Sequence, residues 1–295
     1  MANISQRRPE NAAGPFYVDS SCIDCDACRS MAPRFYSDIG DQSAVTRQPE
    51  TEAERLQAFQ ALLTCPTASI GCTDKPSAGF VTRAASSFPL SVAGEVYFCG
   101  YAAKSSFGAT AWFVRRPDGN VLVDSPRFAA PLVRRIREMG GIRWLFLTHQ
   151  DDVADHAKWA REFGCTRILH ESDVHGQTRD VEMQPVGEEA VRLARDLTVI
   201  PTPGHTRGSC VLHFAGQHES FLFGGDHVAY SPSRGHLYAF RSACWYSWPE
   251  VVRSLEKLRD WDFNWVLPGH GRRFHGSQAE ARASLERGIA WARGV

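Results

Sequence analysis

The feature that most constrains this chain is the stretch from residue 144 to residue 156, which crowds metal-binding side chains behind an apolar run. Residues 144–147 have the composition of a buried strand, and Thr148 follows them. The next eight residues contain two histidines and three aspartates: His149, Asp151, Asp152, Asp155 and His156. Such groups are costly to bury together without a cation, and imidazole with carboxylate suits zinc, iron or manganese. The stretch therefore predicts a metal site, with a solvated loop leading into a helix as the alternative.

Three further positions repeat this arrangement later in the chain. Residues 197–200, 221–223 and 264–267 have strand character, and a turn containing Gly or Pro follows each of them. The side chains presented after these turns are His205, Asp226 and His270. A single histidine at a strand end is usually a satisfied polar residue. Together with His149, however, these positions predict a shared metal centre.

Local patterns also predict the elements around these positions. Helical spacing or helix-start signals mark residues 52–63, 132–139, 155–163 and 249–258, and Ser277 is expected to cap a last helix ending near residue 291. Residues 110–114 and 121–124 flank a Pro-Asp-Gly turn, which is typical of a β-hairpin. The candidate ligands therefore lie in loops that follow predicted strands.

The N-terminal part of the chain carries a second set of ligands. Cys22, Cys25 and Cys28 form a CxxCxxC run, and Cys65 is followed directly by Pro66. These residues resemble bacterial-type ferredoxins, whose motif reads C-x2-C-x2-C-x3-C-P, with the fourth cysteine serving the other of two clusters. The resemblance implies an iron-sulfur domain.

Both ferredoxin motifs are incomplete, so only one cluster can be built. Ala32 stands where the first motif would have its fourth cysteine, and the second motif has lost its three leading cysteines. The four cysteines that remain match one [4Fe-4S] cluster, and a structural zinc site on the same thiolates is the alternative. The other five cysteines lie at no recurring spacing and are interpreted as small buried residues, with a spare cluster ligand as the alternative for Cys72 only.

From about residue 80 onward, the motifs resemble those of the metallo-β-lactamase superfamily, which read T-H-x-H-x-D-H, then P-G-H-T, then G-D, then G-H. Their counterparts follow in the same order: Thr148 and His149 with Asp155 and His156, residues 203–206, Gly225 and Asp226, and Gly269 and His270. The resemblance implies a four-layered αββα sandwich with metals where the sheet edges meet. The expected fold class is α/β (α+β), with this sandwich preceded by a small ferredoxin-like α+β domain.

The first motif departs from the family pattern. Five residues rather than three separate His149 from Asp155 and His156, and Asp151 stands where the family has its second histidine. By resemblance, one metal would bind His149, His205 and Asp226 together with Asp151 or Asp152. The other would bind Asp155, His156, Asp226 and His270, with Asp226 bridging the two. The flavodiiron branch also uses a carboxylate here, and oxygen ligands favour iron or manganese over zinc. The longer loop leaves one metal as an alternative to two.

The resemblance implies hydrolysis as the commonest chemistry, in which a metal-activated water attacks an ester, thioester, lactone or phosphoester of a small molecule. In that reading Asp155 orients the water or acts as the base. A redox enzyme is the alternative, in which the [4Fe-4S] domain passes electrons from a partner to a non-haem iron or di-iron site. A non-catalytic redox-sensing protein is the third interpretation.

The organisation of the chain is expected to follow its composition. Residues 1–14 are polar and aperiodic and predict a flexible tail, residues 15–78 the ferredoxin-like domain, and residues 79–295 the metal-binding domain. Thirty-three basic residues balance thirty-three acidic ones, which favours neither nucleic acid nor a membrane as partner. No apolar run approaches the length of a membrane span, and residues 1–14 lack a secretory hydrophobic core. A cytoplasmic protein is therefore expected.

Overall fold

A small α+β unit forms the first part of the computed structural model, which describes residues 2–294. Its elements are β1 (Phe16–Val18), α1 (Ala27–Met31), β2 (Tyr36–Asp38), β3 (Ser43–Val45), α2 (Glu52–Thr64) and β4 (Ile70–Cys72). β1 pairs antiparallel with β4, and β2 pairs antiparallel with β3. Thr51 and Glu54 form a capping box that fixes the start of α2, as the local pattern predicts. The core of this unit includes Phe16, Phe35 and Phe59.

Residues 2–14 are packed against this unit, which corrects the prediction of a flexible tail. Asn11 is buried; its side-chain amide donates to the carbonyls of Arg8 and Val18, and its oxygen accepts from the amides of Val18 and Val45, all within 2.9 Å. The guanidinium of Arg8 donates to the carbonyl of Ser43 at 2.8 Å. The sequence of a polar segment predicts exposure when the groups that hydrogen-bond to it are distant in the chain and leave no local pattern.

The next part of the chain builds the first sheet of the sandwich. Its elements are α3 (Ala78–Ser86), β5 (Leu90–Ala93), β6 (Val96–Phe98), β7 (Trp112–Val114), β8 (Val121–Val123), α4 (Ala130–Glu138), β9 (Trp144–Phe146), α5 (His156–Phe163) and β10 (Thr166–Ile168). The strand order is β10-β9-β8-β7-β6-β5. β8, β9 and β10 are parallel, and β7 and β8 form the predicted hairpin.

The last part of the chain builds the second sheet. Its elements are β11 (Val191–Ala194), β12 (Leu197–Pro201), β13 (Cys210–Ala215), β14 (Ser220–Gly225), β15 (Ala229–Ser231), β16 (His236–Tyr238), α6 (Trp248–Lys257), β17 (Trp265–Pro268), β18 (Phe274–His275) and α7 (Gln278–Arg293). The strand order is β11-β12-β13-β14-β17-β18, and β15 with β16 forms a separate hairpin. β14 and β17 are parallel.

The two sheets stack face to face. Successive residues of a strand point to opposite faces of its sheet, so each strand of the second sheet has one face toward the first sheet and one toward the outer helices. Val199 and Leu212 join the core shared with the first sheet, whereas their neighbours Ile200 and Val211 pack with the helices α6 and α7 on the outside. α4 and α5 cover the outer face of the first sheet, for example through Trp159. The expected four-layered αββα sandwich is confirmed.

The two units share an interface, and α3 contributes Phe80 and Ala84 to the core of the small unit. Ala102 donates its amide to the carbonyl of Thr64 at 3.2 Å, and the guanidinium of Arg127 donates to the carbonyl of Leu63 at 2.8 Å. Met31 and Leu63 of the small unit also pack against the core of the sandwich. Among residues 2–294, no helix has the length and apolar character that crossing a membrane requires.

Candidate metal centre and cluster site

The four strand-end side chains predicted as ligands converge at one edge of the sandwich. His149 follows β9 of the first sheet, whereas His205, Asp226 and His270 follow β12, β14 and β17 of the second. Because β14 and β17 are parallel neighbours, Asp226 and His270 emerge side by side. At Gly269 an added Cβ would lie only 2.7 Å from Asp226 Oδ1, so the backbone approaches the carboxylate as closely as glycine allows.

The first ligand group consists of His149, His205 and Asp226, whose ligand atoms lie within 4.8 Å of one another. Asp226 Oδ2 is 3.9 Å from His149 Nε2 and 3.8 Å from His205 Nε2. Asp151 faces the same two rings, with its Oδ2 3.8 Å from His149 Nε2 and 3.5 Å from His205 Nε2. Asp151 therefore lies beside both histidines of the first group.

The second ligand group consists of Asp152, Asp226 and His270, again with ligand atoms within 4.8 Å. His270 Nε2 lies 3.9 Å from Asp226 Oδ2. Asp226 belongs to both groups and is the residue that can bridge two cations. Of the two consecutive aspartates, Asp152 belongs to the second group, whereas Asp151 lies beside the histidines of the first.

Buried polar atoms of these residues need a partner that residues 2–294 do not supply. His149 Nε2, both ring nitrogens of His205, Asp152 Oδ2 and Asp226 Oδ1 are buried without a hydrogen bond. Each such atom costs about 1–3 kcal/mol unless it is paired. Imidazole nitrogens and carboxylate oxygens are the donors that divalent zinc, iron or manganese prefer. The donor set therefore fits one or two divalent cations.

The pKa shifts around the centre follow from burial and from charge. Burial lowers the pKa of His149, which favours the neutral imidazole that binds metals. Burial would also lower the pKa of His205, but the nearby carboxylates of Asp151 and Asp226 outweigh it and raise that pKa. Burial, and then the charge of Asp226, raises the pKa of Asp152 well above its usual range. A bound cation would reverse this last effect, because it stabilises the carboxylate.

Two aspartates that sequence reasoning missed hold the ligand loops. Asp124 Oδ1 accepts from the amide of Thr148 at 2.8 Å and from its hydroxyl at 3.0 Å, and that hydroxyl lies 3.0 Å from His149 Nδ1. Asp173 accepts from the amide of Gln150 at 3.0 Å and from the hydroxyl of Thr206 at 2.5 Å. Asp124 also ends a strand, so the pattern that identified the ligands could have found it; Asp173 has no such signal.

Asp155 and His156 are not brought into either ligand group, contrary to the expectation from family spacing. Asp155 Oδ2 accepts from the amide of Phe128 at 2.8 Å, and its other oxygen pairs with Lys158 Nζ at 2.7 Å. His156 begins α5, and its Nδ1 lies 3.3 Å from Arg167 Nη1. The two extra residues in the loop place these side chains beyond the centre. The structure therefore gives Asp155 a structural position rather than the predicted catalytic one.

The four predicted cluster cysteines line one small cavity of the N-terminal unit. Cys28 and Cys65 are buried, Cys22 and Cys25 are half-buried, and all four are free thiols. Burial raises the pKa of Cys25 to about 12, and the neighbouring Cys65 and Cys22 add to this effect. Burial disfavours the charged thiolate, but iron bound to the sulfur would stabilise it. Four thiols around one cavity therefore fit an iron-sulfur cluster.

Comparison with known families identifies both parts of the chain. The family described as "Metallo-beta-lactamase superfamily" matches residues 106–288, and the family described as "4Fe-4S single cluster domain of Ferredoxin I" matches residues 18–72. The chain therefore belongs to the metallo-β-lactamase superfamily. Its N-terminal part is a single-cluster [4Fe-4S] ferredoxin domain, and both resemblances inferred from the motifs are confirmed in their order.

Individual relatives are distant. The metallo-β-lactamase DIM-1 has a TM-score of 0.51 at 19% identity and covers 67% of this chain and 95% of its own. VMB-1 has a TM-score of 0.51 at 16% identity, with 69% and 95% covered. The uncharacterized protein YmaE of Bacillus subtilis (strain 168) is 25% identical over 151 residues, which is 50% of this chain and 53% of that protein. The chain thus spans about half the length of this curated relative, and the likeness to the solved structures shows the fold alone.

Replacing Cys65 by serine is expected to remove or degrade the cluster. Protein purified without oxygen should contain about four cluster iron and four sulfide atoms per chain, and the variant should lose most of both because one thiolate is missing. Iron and sulfide analysis with the visible spectrum measures this. Cys72→Ser is the matched control, since Cys72 does not line the cavity and should keep the cluster. An unchanged iron content in Cys65→Ser would contradict the assignment of the four ligands.

Proposed function

We propose that this protein is a metal-dependent hydrolase that acts on an ester, thioester, lactone or phosphoester of a small molecule. The observation that carries the proposal is that two ligand groups share Asp226. Cations bound there supply a water of lowered pKa and stabilise negative charge on the substrate oxygen. Three histidines and three aspartates face the centre, and this share of oxygen donors suits iron or manganese as well as zinc.

The cleft above the centre has room for a small-molecule substrate. Its volume is about 1430 Å³, and Asp151, Asp226 and His270 lie in its wall. Tyr238 and Trp245 also line it, so a substrate would meet apolar rings beside the polar floor. Small-molecule sites typically combine such an apolar lining with a few convergent polar groups.

The surrounding residues position the ligands and leave one carboxylate open to the cleft. The chain of hydrogen bonds from Asp124 through Thr148 orients the ring of His149 so that Nε2 faces the centre. The side chain of Asp151 is 45% exposed, whereas that of Asp226 is 12% exposed. Asp151 can therefore face both the ring of His205 and a substrate in the cleft.

A redox enzyme is the second candidate, and one observation favours it. Cys25 of the ferredoxin domain lines the same cleft as the metal ligands. Phe107 and Gly108 connect the two sites. The ring centroid of Phe107 is 6.1 Å from that of His270, and the next residue, Gly108, packs against Cys25. In this candidate an electron-transfer partner reduces the cluster, and the carboxylate-rich centre holds iron.

Removal and return of the metals separates the two candidates. The protein should be stripped with a chelator under argon, shown to keep its cluster, and reloaded with zinc, manganese or ferrous iron. We expect hydrolysis of p-nitrophenyl esters, thioesters, lactones or p-nitrophenyl phosphates to rise by about a hundred-fold or more over the stripped protein, because the cations contribute several kcal/mol to the transition state.

If protein reloaded with each of these metals hydrolysed none of the four substrate classes, the proposal of a hydrolase would be contradicted. If the same protein, reduced with dithionite and loaded with iron, consumed an electron acceptor such as dioxygen, the redox candidate would replace it. Matched measurements on zinc-loaded protein are the control, since zinc undergoes no redox change.

A further inference from the structure

An ion pair joins the loop of the metal ligand His270 to the loop of the cluster ligand Cys25. Arg272 lies two residues after His270, and Asp26 follows Cys25 directly. The guanidinium of Arg272 donates to both carboxylate oxygens of Asp26, with Nη2 3.1 Å from Oδ1, and also to the hydroxyl of Ser30. Both charged side chains are about two-thirds or more buried, at 34% and 26% exposed. A bidentate pair in this setting fixes geometry more firmly than a surface salt bridge does.

A second connection reaches the other side of the same loop. The amide of Thr110 donates to the carbonyl of Gly269, the residue before His270, at 2.7 Å. Gly108 has a left-handed φ of +84°, and a Cβ on it would lie 2.7 Å from Cys25 Sγ. The segment that holds Gly269 therefore rests directly on the cluster cysteine. His270 is bracketed by two connections that both lead to Cys25.

The cluster loop has a shape that depends on its surroundings. Asp24 and Asp26, on either side of Cys25, both adopt left-handed backbone conformations, with φ of +57° and +65°. Arg29 donates to Asp26 Oδ1 at 2.6 Å and to Asp24 Oδ1 at 2.7 Å. Less common backbone conformations persist where neighbouring bonds over-determine them, and ligation of Cys25 would add one such bond beside those that Arg29 and Arg272 make to Asp26.

We propose that the turn formed by Cys25 and Asp26 is a positioning element for His270, acting through Arg272, so that the second ligand group reaches full metal affinity only when the ferredoxin domain holds its cluster. The first ligand group, with His149 and His205, is not part of this bracket. Loss of the cluster, for example by oxidation, would therefore weaken one of two metal sites. The inference rests on the metal centre of the proposed function but not on the reaction performed there.

A substitution of Arg272 can remove the ion pair while the backbone of its loop keeps its own hydrogen bond. The carbonyl of Arg272 accepts from the amide of Tyr230 at 2.9 Å, which holds the backbone of this residue independently of its side chain. Arg272→Gln removes the charge and the bidentate pair but keeps most of the side chain. Arg272→Lys keeps a charge that can reach Asp26, although without the fork geometry.

The test measures cobalt(II) binding to full-length protein by calorimetry and visible spectra, with cluster content determined in the same samples. In Arg272→Gln with an intact cluster, we expect one of the two equivalents to lose about tenfold in affinity, as for other residues that support metal ligands, while the other is unchanged. Arg272→Lys should recover part of the loss. Cys28→Ser, which removes the cluster at a thiol outside the bracket, should weaken the same equivalent.

Asp38→Asn is the matched control, since Asp38 pairs with Arg29 at 3.6 Å but not with Arg272. Wild-type affinity for both equivalents in Arg272→Gln would overturn the inference, and so would an equal loss of both, which would indicate general loosening. The expected selective loss in a protein that hydrolyses no ester would remove the proposed function and leave this inference standing. Hydrolysis of an ester without a selective loss of one metal equivalent would support the proposed function and overturn this inference.

Discussion

Replacing Asp226 by asparagine is expected to abolish metal binding at both ligand groups and to lower the rate of hydrolysis by about a thousand-fold. The variant keeps the shape of the side chain but removes the charge that both groups share. Cations contribute several kcal/mol to such a reaction, and about 4 kcal/mol corresponds to three orders of magnitude in rate. Metal content by elemental analysis and the esterase rate measure the effect.

Asp118→Asn provides the matched control for this prediction. It makes the same chemical change on the exposed turn between β7 and β8, where no metal ligand is assigned. The control should keep both metals and the full rate. If Asp226→Asn still bound two cations as tightly as the unmodified protein, Asp226 would not bridge the two groups, and each metal would need another set of ligands.

Much of the fold follows from local patterns. The helix expected at residues 52–63 is α2 (Glu52–Thr64), and the last helix begins after its predicted cap, Ser277. These elements are predictable because caps, turns and apolar periodicity act between residues that are close in sequence. The four-layered arrangement came from the resemblance instead, because stacking of sheets depends on contacts between distant strands.

In the candidate site too, some residues could be predicted from the sequence and others could not. His149, His205, Asp226 and His270 follow strands, and the topology of the sandwich brings all such strand ends to one edge. The loop after His149 could not be resolved by pattern, because a two-residue insertion changes which side chains point inward. The sequence left Asp151 and Asp152 as alternatives, whereas the structure places Asp152 in the second ligand group and Asp151 beside the histidines of the first.

Contacts across the chain were beyond sequence reasoning altogether. Asp26 and Arg272 are 246 positions apart, and neither is a fixed position of a motif. The buried contacts of Asn11 likewise depend on a strand that pairs more than thirty residues later. Such pairs carry no local signal, since either residue alone reads as an ordinary surface side chain. The pair of Arg272 and Asp26 also joins the ferredoxin domain to the loop of a metal ligand, so this relation between the two sites is visible only in the structure.

Asp152→Asn and Asp155→Asn form a matched pair that decides which aspartate binds the second metal. The change is chemically identical, and the positions are three residues apart. We expect Asp152→Asn to lose one metal equivalent and at least about a hundred-fold in rate, because Asp152 Oδ2 faces the centre without another partner. Asp155→Asn should keep both metals, since Asp155 bonds to the amide of Phe128 and to Lys158 instead. Metal analysis and the rate of ester hydrolysis distinguish them.

The two positions should also differ in stability, which separates a ligand from a structural residue. The Asp155→Asn variant gives up a charged acceptor at the start of α5, so it should lose about 1 kcal/mol in its free energy of unfolding with metals bound or removed. The Asp152→Asn variant should be less stable than the unmodified protein only when metals are present, because binding to the folded state is what it has lost. The opposite pattern, with a metal lost in Asp155→Asn and retained in Asp152→Asn, would restore the family spacing. The insertion after His149 would then have to fold back so that Asp155 and His156 reach the centre.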